Sequence, residues 1–294
     1  MSCSNAAIDE VSASRRRLMA NAIGVVESLS VTGPPAPRSR AESYSPDFQV
    51  CLPYHGAFVW HVGRDDVLAD PNRVLFVAGD EGFRLSRPVP GGYAELIITV
   101  HRHVLAEMLG VSERLLGNHT LFRERSRQAE TGLQRQGAWC LHHGSRQQDD
   151  LAGEEWLVAF LGAAVTAPSA SAELSPSTAR LVARAKAYVS ANVSTPMRLA
   201  QIARAVGTSP AYLTTVFRRL EGRPLHKYVV QLRLARALVE LPRASDLTTL
   251  ACELGFSNHS HFTAVFRRAF GCTPSAFRES TRLPNKSARF AAAR

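Results

Sequence analysis

The stretch LTTLACELGFSNHSHFTAVFRRAFGCTPSAFR, residues 247–278, decides the fold of the C-terminal part of the chain. Its first apolar stripe has the i, i+3, i+4, i+7 spacing of a short helix and comprises Leu247, Leu250, Ala251 and Leu254. Gly255 ends that helix, since a left-handed residue after a helix is unstrained only for glycine. Asn258 can cap a second helix, whose buried face comprises Phe262, Val265, Phe266 and Ala269. Two short helices joined by a glycine turn describe a helix-turn-helix unit.

The same pattern occurs a second time, upstream, between residues 199 and 228. Gly207 takes the place of the turn glycine and Ser209 that of the cap. The offset between the two copies is 48 residues at the glycine and 49 after it. The matching apolar positions of the upstream copy are Leu199, Ile202, Ala203, Val206, Leu213, Val216, Phe217 and Leu220. Such a period indicates a duplicated supersecondary unit.

The exposed face of each second helix carries small polar residues next to arginine. In the two copies this face comprises Ala211, Thr214, Thr215 and Arg218, then Ser260, Thr263, Ala264 and Arg267. Short side chains let a helix approach base edges in the major groove, while arginine reaches phosphates. A merely solvated face usually carries Glu and Lys, so the near absence of acidic residues favours DNA.

The basic charge of the chain is concentrated in its C-terminal part. Residues 176–294 contain 19 Lys and Arg against 5 Asp and Glu, a net charge of +14, whereas residues 1–175 carry −4. A globular domain with this field attracts polyanions, and nucleic acid is the usual one. A basic surface kept for solubility is the alternative, and charge alone does not separate the two.

Residues 178–280 resemble the DNA-binding domain of the AraC/XylS family of transcriptional regulators. The resemblance rests on the turn glycine, the paired aromatics, the basic doublet and the Gly-x-x-Pro of 247–278; the first copy is looser. It implies two helix-turn-helix units joined by a long central helix, here 224–240, whose second helices (about 209–220 and 258–270) enter successive major grooves of promoter DNA.

The resemblance also implies roles for individual residues. The candidates for base reading are Ala211, Thr214, Thr215, His259, Ser260, Thr263 and Ala264. The candidates for phosphate contacts are Arg218, Arg219, Arg267 and Arg268. The base-reading candidates of the first unit, Ala211, Thr214 and Thr215, have short side chains. We therefore expect the first unit to contribute more methyl contact and positioning than hydrogen-bond readout.

The N-terminal part divides by composition. The length of 294 residues argues for about two domains. Residues 1–43 are rich in Ser, Ala and Arg and predict a flexible arm with one short helix near 16–29. From 48 to 100, short β-prone runs separated by turns predict an antiparallel sandwich or barrel. Residues 103–165 are predicted to be helical, with 150–165 as a packing or dimer surface. The remaining segments are a linker at 166–177 and a basic tail at 281–294.

Many family members carry an N-terminal small-barrel sensor, often cupin-like, and the β-rich stretch 48–100 resembles one, within a predicted sensor and dimerisation domain of residues 44–165. This implies a small-molecule effector, unidentified, inside the barrel and a helical segment for dimerisation. The predicted fold is therefore α+β and multidomain, with an N-terminal small β-barrel and a C-terminal all-α double helix-turn-helix. The predicted partners are double-stranded promoter DNA, the effector, RNA polymerase and a second copy in a possible homodimer.

The alternative is a cupin-like metal- or ligand-binding sensor or enzyme for which DNA binding is secondary. His101 and His103 form a His-x-His, but Glu107 already lies in a helical run, so we predict no metal site, no cofactor and no catalytic residues. Cys51 and Cys140 are interpreted as small core hydrophobes. No Gly-x-Ser-x-Gly motif of a hydrolase occurs.

The remaining composition bears on location. The five cysteines are widely spread and form no Cys-x-x-Cys pair, which favours a reducing compartment. No apolar run approaches the roughly 18 residues of a membrane span, and no secretory signal is expected. We therefore expect a cytoplasmic regulator with no membrane partner. Whether it activates or represses does not follow from the sequence.

Overall fold

The computed structural model describes residues 11–37, 42–144, 150–168 and 175–282. The N-terminal domain is built on two antiparallel sheets, one of six strands in the order β1-β2-β8-β3-β6-β9 and one of three in the order β5-β4-β7. The strands are β1 Ser12–Ala20, β2 Gly24–Thr32, β3 Gln49–Gly56, β4 Phe58–Val62, β5 Asp65–Ala69, β6 Arg73–Val77, β7 Phe83–Ser86, β8 Tyr93–Val100 and β9 Ser126–Gln128. The strands expected between 48 and 100 are confirmed, and the fold is α+β.

The prediction of a flexible arm with a helix near 16–29 is wrong for the described residues. β1 and β2 form a hairpin, and β2 pairs along its length with β8. β2 buries Val26 and Val31, and its alternation was hidden by the serines between its apolar residues. β1 is an edge strand, and it carries three consecutive arginines. Charged side chains on an edge strand prevent it from pairing with a strand of another molecule. The expected tail beyond 282 and residues 169–174 of the expected linker lie outside the described residues.

The large sheet has apolar residues on both faces. One face packs on the small sheet, and the other is covered by α1 Arg102–Leu109, α2 Thr120–Glu124, α3 Thr131–His143 and α4 Asp150–Thr166. α4 contributes Trp156, Leu157, Phe160 and Leu161 to this second core. The buried face of α4 is thus a packing surface inside the domain, whereas Leu151 and Val158 on the same helix are exposed.

Between residues 175 and 282, the C-terminal stretch that the structure describes, seven α-helices form the domain: α5 Pro176–Ala191, α6 Leu199–Ala205, α7 Pro210–Glu221, α8 Leu225–Glu240, α9 Leu247–Glu253, α10 His259–Phe270 and α11 Pro274–Arg282. They enclose two apolar cores that share α8. The first half of α8 packs with α5, α6 and α7 around Phe217 and Tyr228. Its second half packs with α9, α10 and α11 around Phe262 and Phe266. None of the described helices is long and apolar enough to cross a membrane.

The two domains meet through a buried cluster of charged and polar side chains, which we call the interdomain ion cluster: Asp70, Arg73, Lys186, Glu221 and Tyr228. Arg73 Nη2 donates to Glu221 Oε1 at 2.8 Å. Lys186 Nζ lies 3.3 Å from Glu221 Oε1 and 3.4 Å from Asp70 Oδ2, and the Tyr228 hydroxyl donates to Asp70. All five are buried. Two carboxylates face two cations, so the cluster is neutral and each charge has a partner, as burial requires.

Hydrogen bonds to backbone surround the interdomain ion cluster. Gln128 Nε2 donates to Glu221 O at 2.7 Å, and Gln231 Nε2 donates to Ala129 O at 2.6 Å. On α3, His142 Nε2 donates to Leu238 O at 2.8 Å, and Ala138 belongs to the second core of the C-terminal domain. Burial lowers the pKa of His142 to about 4, so the imidazole stays neutral at physiological pH. The N-terminal domain therefore touches both helix-turn-helix units.

Replacing Lys186 by Met should destabilise the folded protein by about 3–5 kcal/mol, because two buried carboxylates would then face one cation. Chemical denaturation followed by circular dichroism measures the change. Lys227→Met, on an exposed position of α8, is the matched control and should be near neutral. A loss no larger than the control's would show that the cluster contributes little.

The interdomain ion cluster should also lose its stabilising effect in acid. Burial raises the pKa of Glu221, but Lys186 and Arg73 outweigh it and lower the pKa to about 2. The unfolded carboxyl titrates near pH ~4.3, so its contribution is complete above that pH and falls between about pH 4 and pH 2. Urea denaturation of the wild type and Glu221→Gln at pH 6 and pH 3 should show a smaller difference at pH 3. An equal difference at both pH values would contradict the assignment.

Candidate nucleic-acid interface

The turn and the start of α7 are held by local interactions that the sequence predicts. Gly207 has φ +72°, in the left-handed region that favours glycine. Ser209 is the N-cap, and its hydroxyl oxygen accepts a hydrogen bond from Tyr212 N at 3.2 Å. Pro210 follows at the first helical position, where its missing N–H costs nothing. Both the glycine turn and the cap are confirmed.

The second unit repeats this design with one added constraint. Asn258 Oδ1 accepts from His261 N at 2.7 Å, as an N-cap should. Gly255 has φ +83°, and a Cβ there would lie 2.8 Å from the Arg233 guanidinium. Arg233 itself donates to Val193 O at 2.9 Å and stacks near Phe256. Arg233 thus ties the loop after α5, in the first unit, to the turn of the second unit.

The candidate DNA-binding residues lie on exposed surface of α7 and α10. His259 and Thr263 are half-buried, and the other nine are exposed: Ala211, Thr214, Thr215, Arg218, Arg219, Ser260, Ala264, Arg267 and Arg268. α7 and α10 belong to different cores and are connected through α8. With 16 residues, α8 is about 24 Å long, so a single continuous helix sets the placement of the two surfaces.

Hydrogen bonds within α7 limit what its threonines can offer a base. Thr214 Oγ1 donates to Pro210 O at 2.9 Å, and Thr215 Oγ1 donates to Ala211 O at 3.1 Å. Their hydroxyl protons are used inside the helix. A methyl group and an acceptor oxygen remain, which suits a thymine methyl or a base amino group. The methyl-rich character expected of the first unit therefore has a geometric basis.

Tyr212 is a surface residue that the sequence pattern did not single out. Its side chain is 49% exposed, next to Ala211 in the first turn of α7. The equivalent position in α10 is His261, also exposed, whose Nδ1 lies 3.1 Å from Ser257 Oγ. The available signal was a ring just outside the buried stripe of both copies. Such a ring can contact sugar, phosphate or a base edge.

The four candidate phosphate arginines keep their charge available. Within the part of the chain that the structure describes, no carboxylate forms an ion pair with Arg218, Arg219, Arg267 or Arg268. The nearest acidic residue on α7 is Glu221, which is buried and neutralised by Arg73 and Lys186. The interdomain ion cluster thus removes the one negative charge that would oppose DNA at the end of α7.

The N-terminal domain contains a cavity that could hold a small molecule. A cavity of about 330 Å³ opens between the large and the small sheet. Its walls are mostly apolar, from residues such as Phe58, Trp60, Leu75 and Ile97, and they include one buried carboxyl, that of Glu95. The volume falls within the range of about 300–1,000 Å³ typical of small-molecule sites.

The histidines and cysteines of the described residues lie apart from one another or in small pairs. Within the described ranges, no group of three His, Cys, Asp or Glu side chains could hold a metal ion. The rings of His101 and His103 stack 6.0 Å apart where β8 meets α1. Cys51 and Cys140 are buried, as interpreted, and burial raises the pKa of Cys140 to about 12. That thiol is thus not poised as a nucleophile.

Comparisons with known proteins concern mainly the helical region. A helix-turn-helix domain family model matches residues 202–280. Regulatory protein SoxS of Escherichia coli (strain K12) is 33% identical over 93 residues, which are 31% of this chain and 87% of SoxS. Regulatory protein PocR of Salmonella typhimurium is 35% identical over 98 residues, 33% of this chain. The match spans only 32% of the length of PocR.

Among solved structures, a transcriptional regulator with an AraC-type DNA-binding domain from Chromobacterium violaceum is similar. It is 29% identical, and the superposition covers 37% of this chain and 98% of that one, with a TM-score of 0.34.

Replacing Arg267 by Ala should weaken binding to double-stranded DNA of any sequence and reduce the slope of log affinity against log salt by about 1, as the loss of one phosphate contact does. Fluorescence anisotropy at several salt concentrations measures both. Arg64→Ala, on an exposed turn of the small sheet, is the control and should change neither. Unchanged affinity and slope in Arg267→Ala would show that α10 does not contact DNA as described.

Proposed function

Because the chain belongs to the AraC/XylS family of transcriptional regulators, we propose that α7 and α10 enter two successive major grooves of promoter DNA, under the control of a small molecule bound between the sheets of the N-terminal domain. The observation that carries the proposal is the pair of capped helices, each with small exposed residues beside two arginines free of carboxylate partners among the described residues.

In this proposal the two units read DNA differently. In α10, Ser260 and Ala264 are exposed, and His259 Nε2 lies 3.4 Å from Thr263 Oγ1, so the imidazole and hydroxyl can exchange that contact for a base edge. In α7, the hydroxyls of Thr214 and Thr215 are already used as donors. The second unit therefore contributes most of the hydrogen-bond readout of bases. The first unit contributes methyl contacts and positions the protein on the DNA.

The N-terminal domain is proposed to be a cupin-like sensor, acting in the cytoplasm. Two sheets packed around a cavity support this. A chain of contacts from the cavity wall to α7 supports it as well. Leu75 and Val77 of β6 line the cavity, and Arg73, at the start of the same strand, donates to Glu221, the last residue of α7. A ligand that shifts β6 changes the contact that holds one recognition helix, so ligand and DNA binding are coupled.

Footprinting tests the two-groove arrangement. On an operator found by genome-wide mapping of bound DNA, hydroxyl radicals should reveal two protected segments on one face of the duplex, about 10 base pairs apart. Ser260→Ala should change the preferred bases in one segment only, because the α7 half is untouched. Arg64→Ala serves again as the control. One protected segment, or a change in both segments, would contradict independent reading by two helices.

A further inference from the structure

The carboxyl of Glu95 is an unusual group for the wall of an apolar cavity. Glu95 lies in β8, the third strand of the large sheet, and is only 6% exposed. No hydrogen bond or ion pair to its carboxyl is found from residues in the described ranges, and its electrostatic environment contains one cation, Arg15. Buried carboxyls are normally paired, so this one is an acceptor available to a bound molecule.

The sheet register explains why Arg15 does not pair with Glu95. Arg15 in β1 lies opposite Leu29 in β2, and Leu29 lies opposite Glu95 in β8. All three share the cavity face, with Leu29 between the two charges. Arg15 Nη1 instead lies 3.4 Å from Glu27 Oε2, and its side chain is half exposed. The Arg15 guanidinium at the edge of the cavity is therefore already paired with Glu27, while the Glu95 carboxyl at its wall has no such partner among the described residues.

The rest of the wall fits the body of an organic cation. Phe58, Trp60 and Phe83 of the small sheet face the large sheet across the cavity. Aromatic faces attract ammonium groups in addition to burying apolar surface. A carboxylate ligand would have to compete with Glu27 for Arg15, the cation at the edge of the cavity.

We propose that this cavity binds a small primary amine with an apolar or aromatic body, its ammonium group paired with the Glu95 carboxylate and its body packed against Phe58, Trp60 and Ile97. The inference rests on the proposed function, in which this cavity is the effector site, and it adds the chemical class of the ligand and the residue that recognises it.

Binding of such an amine is linked to a proton. Burial raises the pKa of Glu95 to about 8, against a smaller opposing effect of Arg15, so the empty site holds a protonated carboxyl at neutral pH. The ammonium enters with its own proton and Glu95 releases one to solvent. Affinity should therefore rise about 50-fold from pH 6 to pH 8, whereas a neutral ligand hydrogen-bonded to the acid would lose affinity over the same range.

Other groups near Glu95 do not produce the same pH dependence. The charged and titratable neighbours are Arg15 on β1, Glu27 on β2, Cys51 and Tyr54 on β3, and Tyr93 on its own strand. Burial raises the pKa of Cys51, Tyr54 and Tyr93, so they remain neutral between pH 6 and pH 8. Arg15 is paired with Glu27.

Calorimetry and thermal shift with the full chain test the proposal. The amine probes are 2-phenylethylamine, tryptamine and octylamine; 2-phenylethanol and 3-phenylpropionate have matched bodies without the cation. At pH 8 at least one amine should bind tenfold or more tightly than both matched probes, and its binding should release a proton at pH 7. Glu95→Gln should abolish the preference and the pH dependence, whereas Glu107→Gln, exposed on α1, should retain both.

Three outcomes overturn the proposal in distinguishable ways. If the alcohol or the carboxylate binds as well as the amines, the ligand class is wrong while the cavity remains the effector site. If folded Glu95→Gln, with a wild-type circular dichroism spectrum, keeps the preference, Glu95 is not the recognising group. If no amine binds, the amine assignment is rejected; the two-segment footprint on DNA then decides the proposed function separately.

Discussion

The buried contact between Glu221 and the pair Arg73 and Lys186 is the interaction on which the arrangement of the molecule depends. Glu221 is the last residue of α7, Lys186 belongs to α5, and Arg73 begins β6 in the other domain. Separating the domains would break these buried ion pairs. The contact therefore both stabilises the docked domains and fixes their relative position. The same contact buries the one negative charge of α7, and it joins β6, a strand of the cavity wall, to the end of α7.

A second constraint is the single helix shared by the two cores. α8 packs its first half into one helix-turn-helix unit and its second half into the other, while Tyr228 also donates to Asp70 of the N-terminal domain. A displacement of α8 therefore moves both helix-turn-helix units together. Gln231 in the middle of α8 donates to Ala129 O, and His142 donates to Leu238 O near the C-terminal end of the helix, so contacts with the N-terminal domain continue along α8.

Sequence reasoning succeeded where structure is encoded over a few residues. Spacing alone predicts the glycine turns, the Ser209 and Asn258 caps and the exposed arginines. In a helix of two or three turns, the period of the apolar residues identifies the buried face. It failed for β1 and β2, where serines and arginines conceal the alternation and pairing with the distant β8 supplies the missing hydrogen bonds. Tyr212 was missed because it lies outside the buried stripe, although a ring occupies the same position in both copies, as Tyr212 and His261.

The sequence by itself determined the duplicated helix-turn-helix, its basic surface and its family, since these depend on local pattern and on charge summed over one domain. Only the tertiary structure decided which charges are available for binding. Lys186 and Glu221 belong to the basic domain in the count, yet burial against Asp70 and Arg73 removes them from its surface. Glu95 is one carboxyl among many in the sequence, and it becomes distinctive only because two sheets enclose it with no hydrogen-bond or ion-pair partner from the described part of the chain. Partnering of charges across domains depends on distances between residues far apart in the chain, which no local pattern contains.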